Sequence, residues 1–423
     1  LPETVVSQLA IYNFGFLVGL VLVQAFLVVG FVRCLLRFRR PLIADAEAPK
    51  AAVVLALRGG DPFLVDCLRG LLTQDYPRYD IHVVVDHVDD PAHRIVQDVL
   101  NSEQPDNLYL QFLTAPLETC SLKCSSVVQA IRSLDASYEF VAQIDADTIA
   151  HPTWLRELAT ALQDESVGAA TGNRWYMPDR LSWGALVRYA WNAAAVVQMY
   201  CYRIAWGGTL AVKTKVFRET DVLDKWSHAF CEDTMLFAVL KRAGLRVAFV
   251  PSLMMVNRED CDIHGFFYWV RRQMLTARLY HPAWPAVVGH GLITTLGPVA
   301  TLALACFGVV NQDNSALAWS VAGLLVYQLG VVAMMPPMEW AVRRIVRHRS
   351  EPVNWLSAWG MVKVLLAIPL TQSVYATALA SALWLTRVDW RNATYDVRGS
   401  WKIRLHEYRP YQPVESEGST LSL

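Results

Sequence analysis

Phe140-Val141-Ala142-Gln143-Ile144-Asp145-Ala146-Asp147 is a short, almost unbroken apolar run that ends in two aspartates. A run of this length closed by polar residues reads as a strand buried on both faces, with the acids falling where the chain stops being regular. Working outward, the same unit recurs. Ala51–Leu57 is a continuous apolar run stopped by Arg58-Gly59-Gly60-Asp61-Pro62, residues 81–85 form another that ends at Asp86, and 108–113 make a third. Residues 63–72, 95–100 and 124–133 lie between the runs and carry apolar side chains at helical spacing. Strands alternating with helices predict an α/β domain on a mostly parallel sheet, from Lys50 to about Asp262. Ligands of such sheets bind beyond the carboxyl ends of strands, and Asp86 and Asp145 stand at two of those ends. No G-x-G-x-x-G follows the first strand and no Walker loop occurs, which removes the main support for a dinucleotide or P-loop site.

The remainder of the chain is unlike a soluble protein. Only 18% of the 423 residues are charged, against about 25% in soluble domains, which excludes disorder and a wholly soluble chain. The 38 basic residues balance 38 acidic ones, so a nucleic-acid partner held by a general basic surface is also excluded. Residues 11–36 carry no charge before Arg33 and exceed the roughly 20 residues that a span needs. Glu3 precedes the run where a cleaved leader has a basic start, so a retained span is expected. Arg33, Arg37, Arg39 and Arg40 place its far end in the cytoplasm by the positive-inside rule. Trp284–Val310 and 316–335, joined by Asn311-Gln312-Asp313-Asn314, read as a helical hairpin in lipid, and Arg343, Arg344, Arg347 and Arg349 return the chain to the same side. The last apolar stretch, 355–385, is interrupted by Lys363 and Pro369, and a basic tail follows it. A broken pair of interfacial or re-entrant helices keeps that tail inside. The expected organisation is a transmembrane helix (1–40), a cytoplasmic domain (41–265), an interfacial helix (266–284), a transmembrane hairpin (285–337), a basic loop with interfacial or re-entrant helices (338–388) and a cytoplasmic tail (389–423), frayed from 414. The eight cysteines include no Cys-x-x-Cys pair and are expected to be reduced.

Several residues could do chemistry. Asp145 and Asp147 could share a divalent metal, Mn²⁺ or Mg²⁺, that bridges to a diphosphate, or Asp147 could cap a helix near 153–162. Glu232 and Asp233 open an apolar helix, where acids suit the dipole, or one of them serves as a general base. Arg271, Arg272 and Arg278 flank Gln273 just before the second span. They neutralise a leaving diphosphate or form a juxtamembrane basic cluster. Lys123 opens a helix, where the dipole disfavours a cation, so it either meets a phosphate or lies solvated. Trp206-Gly207-Gly208-Thr209 is a turn that lets a ligand approach backbone. His87, His151, His228 and His264 are scattered and take no metal role.

Taken together, Asp86, D-A-D at 145–147, E-D at 232–233 and a Gln/Arg helix resemble the GT-A inverting glycosyltransferases, in particular ceramide glucosyltransferase and its bacterial relatives. The resemblance covers nearly the whole chain and extends to Leu57-Arg58-Gly59-Gly60-Asp61-Pro62, Gln74-Asp75-Tyr76-Pro77-Arg78-Tyr79, Val88-Asp89-Asp90-Pro91-Ala92, and the tail from Asp389-Trp390-Arg391 to Tyr395-Asp396-Val397-Arg398. It implies a membrane enzyme with a cytoplasmic catalytic domain that moves a hexose, glucose from UDP-glucose, onto the hydroxyl of a lipid such as ceramide. It also implies that Asp86, with Asp89 as substitute, binds the nucleotide, that Asp147 and Asp145 hold metal and diphosphate, and that Asp233 is the base. The family's Q-x-x-R-W is broken: Gln273 is followed by Met274, Leu275, Thr276 and Ala277, leaving Arg272 or Arg278 to supply the charge. The competing readings are a polysaccharide synthase and a non-catalytic nucleotide- or lipid-binding protein on the same fold.

Overall fold

A computed structural model describes residues 3–38, 41–349, 351–353 and 357–411. Arg39, Arg40, Trp355 and the tail beyond 411 lie outside the described residues. The chain opens with α1 (Glu3–Arg37) and then builds β1 (Ala51–Leu57), α2 (Leu64–Leu72), β2 (Tyr79–Val85), α3 (Pro91–Glu103), β3 (Leu108–Phe112), α4 (Leu122–Ser133), β4 (Phe140–Ile144) and α5 (Trp154–Leu162). The alternation seen in the sequence is therefore present. It continues through β5 (Val167–Tyr176), α6 (Trp183–Tyr202), β6 (Thr209–Lys213), α7 (Thr214–Glu219), α8 (Val222–Trp226), α9 (Leu236–Arg242), β7 (Arg246–Asn257) and α10 (Ile263–Tyr280). The seven strands lie in the order β3-β2-β1-β4-β6-β5-β7, and only β6 runs against its neighbours. Both faces are buried: Val53 and Leu55 pack into one core and Ala52 and Val54 into the other.

Two of the sequence segments that carried the family resemblance are clamps. Asp90 caps α3 through Ala92 N (2.8 Å) and also accepts from Gly59 N (2.9 Å), where φ is +83° and the chain leaves β1. Gln74 donates to Gly70 O and His151 O and accepts from Leu155 N, which locks α2 to α5.

Beyond the α/β domain come α11 (Trp284–Val310), α12 (Asn314–His348) and α13 (Ala358–Leu383). With α1 these are four helices long and apolar enough to cross a membrane. Small residues allow close packing in the bundle, with Gly297 against Phe16 and Gly330 against Val21. Two details correct the sequence reading. First, α12 passes unbroken through Pro336 and Pro337 to His348, so 338–348 is helix where a loop was expected. Second, α13 is a single helix where a broken pair was expected. Pro369 frees the carbonyl of Leu365, and Gln328 of α12 donates to that carbonyl (2.6 Å), which removes the cost of the lost bond. α13 lies along α6 and α10: Lys363 reaches Leu181 O (3.4 Å), and Arg278 donates to Ala382 O (2.6 Å) and Leu385 O (2.8 Å). The tail then forms a three-stranded antiparallel sheet, β8 (Arg387–Trp390), β9 (Ala393–Val397) and β10 (Ile403–Glu407), whose Val388, Tyr395 and Val397 join the second core of the domain.

Candidate active site

A cleft of about 1310 Å³ opens at the carboxyl edge of β1, β2 and β4. At one end Asp86, 2% exposed, follows β2 and is ion-paired with Arg58. Burial raises its carboxyl above the usual range despite that arginine. Asp86 lines the cleft, and among the described residues no donor reaches its buried Oδ1. Arg58 in turn donates to the carbonyls of Arg391 (2.6 Å) and Arg409 (2.7 Å), so the tail completes this wall. A side chain at Gly59 would meet the ring of Tyr411 at 2.7 Å, which is why the R-G-G turn needs glycine there. Asp89, the substitute for Asp86, has an 81% exposed side chain beside His87 and does not line the cleft. It stands four residues past the strand end, in the turn ahead of α3.

Lys123 in the first turn of α4 is neither solvated nor free. Its ammonium lies 2.6 Å from Asp145 and 2.8 Å from Glu232. Burial opposes its charge, yet the two carboxylates hold its pKa well above the usual value. Asp145 responds in kind: burial works against ionisation, but Lys123, with Arg174 and Arg391 beyond it, keeps the carboxyl below its ordinary range. Glu232 is pushed up, by burial first and by Asp233 and Asp145, against the pull of Lys123. It is a pinned countercharge. A side chain at Gly207 would collide with Glu232 Oε1, and one at Gly208 with the Trp206 ring, so both glycines of that turn are needed for close approach.

Asp147 is different. It caps no helix, since α5 begins after Thr153 without a side-chain cap. Among the described residues it accepts from neutral groups alone, Asn257 Nδ2 and Thr148 Oγ1, both at 3.2 Å. Burial, with Asp145, Asp61 and Glu259 around it, pushes its carboxyl up to about 7. Crowded carboxylates without a cation on Asp147 are the donor set a hard divalent ion takes. Among the described residues no third His, Cys, Asp or Glu completes a cage, so an ion held by Asp145 and Asp147 would take its other ligands from elsewhere, such as phosphate oxygens and water.

Three arginines from separate elements line the cleft opposite these acids: Arg174 of β5, Arg272 of α10 and Arg391 between β8 and β9. Arg174 lies 4.5 Å above Trp269 and Arg272 4.6 Å above Trp390. Burial, with Arg391 and Arg174 close by, pushes Arg272 down to about 10. Trp269, Arg272, Gln273 and Thr276 share one face of α10 and all line the cleft. Arg271 instead packs on Tyr268 and Arg278 ties α10 to α13, so neither belongs to the site. Arg278 is six residues past Arg272, about 120° around the helix. Sequence reasoning gave Arg58, Arg174, Trp390, Arg391 and Tyr395 no role. Arg174 did carry a signal, a lone charge inside a strand of otherwise buried residues.

Asp233 precedes α9. Its Oδ2 accepts from Gly207 N (2.9 Å), and its Oδ1 from Thr234 N (2.6 Å) and Thr234 Oγ1 (2.9 Å). It also lines a second cavity of about 1660 Å³, mainly apolar, walled by α1, α6 and α10 to α13. Among the described residues Asp233 is the only carboxylate that lines both.

An α/β sheet with an acid pair at a strand end, an arginine wall and a carboxylate opening onto an apolar cavity defines a nucleotide-sugar-dependent glycosyltransferase of GT-A type. The comparisons agree. The chain belongs to glycosyl transferase family 21, which matches residues 17–403. It is 22% identical over 368 residues to an N-acetylglucosaminyltransferase of Rhizobium leguminosarum bv. viciae, covering 82% of this chain and 83% of that one. It is 26% identical over 349 residues to a protein of the same name from Mesorhizobium japonicum, covering 77% and 78%. Among solved structures it resembles the mannosyltransferase PcManGT of Pyrobaculum calidifontis in complex with GDP-Man and Mn²⁺. There the TM-score is 0.52 at 16% identity, covering 90% of this chain and 99% of the other.

Proposed function

We propose that the enzyme transfers a hexose from UDP-glucose, with inversion, to the hydroxyl of a membrane lipid such as ceramide. The position of Asp233 on both cavities carries this reading, because a base must touch the acceptor while the donor sugar stands beside it. Asp233 takes the hydroxyl proton as the lipid oxygen attacks the anomeric carbon in line and the bond to the diphosphate breaks. Its hydrogen bonds from Gly207 N and from Thr234 N and Oγ1 fix the carboxylate's direction. Asp86, at the end of the cleft, accepts from the nucleoside. Arg174, Arg272 and Arg391, with Gln273 beside them, face the leaving UDP and stabilise the charge that develops there. Asp147, with Asp145, would hold Mn²⁺ or Mg²⁺, which when bound supplies positive charge against the diphosphate. Lys123 positions Asp145 and Glu232 at the edge of the cleft.

In this reading α1, α11 and α12 span the bilayer, α10 and α13 lie at its surface, and the arginine clusters put the catalytic domain on the cytoplasmic face. The name shared by the rhizobial relatives favours a second donor, UDP-N-acetylglucosamine. Purified enzyme given either nucleotide sugar, Mn²⁺ and a total membrane lipid extract tests all of this by product mass. One glycolipid one hexose heavier than its acceptor is expected. A mass gain of one N-acetylhexosamine establishes the second donor. A ladder of long products establishes a polysaccharide synthase, and no product with either donor leaves a binding protein.

A further inference from the structure

The second cavity is walled largely by Leu, Val, Ala and Met side chains, yet it holds a polar cluster that lipid tails do not need. Gln24 of α1, Gln198 of α6 and His290 of α11 meet inside it. The Gln198 amide lies 2.9 Å from His290 Nδ1 and the Gln24 amide 3.4 Å from Nε2. One turn further along α11, Gln372 donates to Tyr327 OH (2.7 Å), which reaches the carbonyl of Thr294 (3.5 Å). Polar side chains within apolar helices are costly and are retained either as glue between helices or for a ligand.

The chemistry of the upper rung favours the ligand. A neutral imidazole carries one N–H and one lone pair. It can accept from the amide nitrogen of one glutamine and must donate to the amide oxygen of the other. Each glutamine then has its opposite end unspent: one amide oxygen and one NH₂ group remain. Among the described residues no other hydrogen bond engages either amide. All three side chains line the cavity, so what is left over is a paired donor and acceptor facing it. His290 is six residues into α11, about 9 Å along the helix at 1.5 Å per residue. Asp233, Gln273 and Thr276 line the same cavity.

We infer that Gln24, Gln198 and His290 select acceptors that carry a second hydrogen-bonding group, able both to donate and to accept, in the part of the lipid next to the transferred hydroxyl. An amide or a further hydroxyl meets this requirement. An ester meets half of it, and an ether leaves the donor and acceptor of the rung unsatisfied in an apolar setting, which is where discrimination is largest. The inference rests on the second cavity being the acceptor site.

The test uses the full-length protein in detergent with three acceptors that share one primary hydroxyl and identical chains but are amide-, ester- or ether-linked beside it. The wild type should prefer the amide lipid to the ether lipid by at least about tenfold in kcat/KM, with the ester between. Gln198→Leu and His290→Leu should bring that ratio to about one, through a higher KM for the amide lipid and an unchanged KM for the nucleotide sugar. His290→Gln, which keeps a donor and an acceptor, should restore part of the preference. A wild type that does not distinguish the three lipids overturns the inference without any variant. So does a preference that survives both leucine substitutions, or an equal loss on all acceptors, which marks helix glue. If the wild type uses the nucleotide sugar but glycosylates none of the lipids, the acceptor reading of the cavity fails as a whole.

Discussion

The charged cleft and the apolar cavity share Asp233 but are built from different materials. The cleft is assembled at the carboxyl edge of one sheet, with further walls from α10 and the C-terminal strands, and its charges are already arranged before any substrate arrives. Lys123 holds Asp145 and Glu232, Arg58 holds Asp86, and the tail holds Arg58. Inside the cavity the described polar contacts join neutral side chains, Gln24 and Gln198 to His290 and Gln372 to Tyr327. Six helices wall it, and Met334, Met335 and Met338 line one side with unbranched, adaptable side chains. Preorganised charge suits a donor whose diphosphate is fixed in length and charge, and adaptable packing suits a lipid of variable chain. Substitutions in the cleft should therefore change the rate of transfer whatever lipid is offered, and substitutions in the cavity should change which lipid is used.

The largest effect belongs to the acid that lacks a cation. Asp147→Ala should abolish turnover while leaving a folded protein, and EDTA should do the same to the wild type until Mn²⁺ or Mg²⁺ is restored; steady-state assays with each metal check this. Undiminished turnover in chelator would remove Asp147 from metal binding. Next comes Asp233→Asn, which keeps the shape and removes the proton acceptor. The expected fall in kcat is about 10²- to 10⁴-fold, with little change in the KM for nucleotide sugar. A fall confined to one lipid would erase the boundary between the two regions at its shared residue.

Arg272→Ala should lower kcat by about 10²- to 10³-fold, the size of a lost preorganised charge contact. Arg271→Ala and Arg278→Ala should be mild, since one packs on Tyr268 and the other joins two helices. Comparable losses at all three positions would mean that the diphosphate meets the helix along more than one face. On the cavity side, Ala194→Trp should raise the lipid KM on the order of tenfold and leave the KM for nucleotide sugar unchanged, measured by varying each substrate in turn. The smallest effect is expected at Asp89, where Ala should stay within about twofold of wild type because an exposed turn residue away from the cleft has little to lose.

The alternation of apolar runs with helical spacing made the first four strands legible, and D-A-D at the end of β4 pointed to the acid pair. Both signals are local: they need only the period of the chain and the place where a strand stops. The antiparallel β6 and the long β5 and β7 gave no comparable signal, because their neighbours in the sheet are far away in sequence. Lys123 was noticed as a misfit at a helix start, yet its partners come from β4 and from the segment before α9, and no spacing rule joins them. The choice among Arg271, Arg272 and Arg278 depended on the rotation of α10 against the cleft, which only packing fixes. The continuity of α13 past Pro369 depended on one glutamine of another helix. The cavity was the least legible part, since each helix contributes a few residues whose meaning lies in what stands across from them.

The C-terminal sheet has a consequence for the life of the chain. Trp390, Arg391 and Tyr395 line the charged cleft, and the carbonyls of Arg391 and Arg409 seat the arginine that pairs with Asp86. All of them follow the last apolar helix in the sequence. A ribosome therefore delivers the helices first and the final wall of the donor site last. Until that wall folds back onto the domain, Asp86 lacks the seated arginine that balances it and the cleft is missing one side. The order of synthesis thus acts as a safeguard, with membrane insertion coming before the capacity to consume nucleotide sugar.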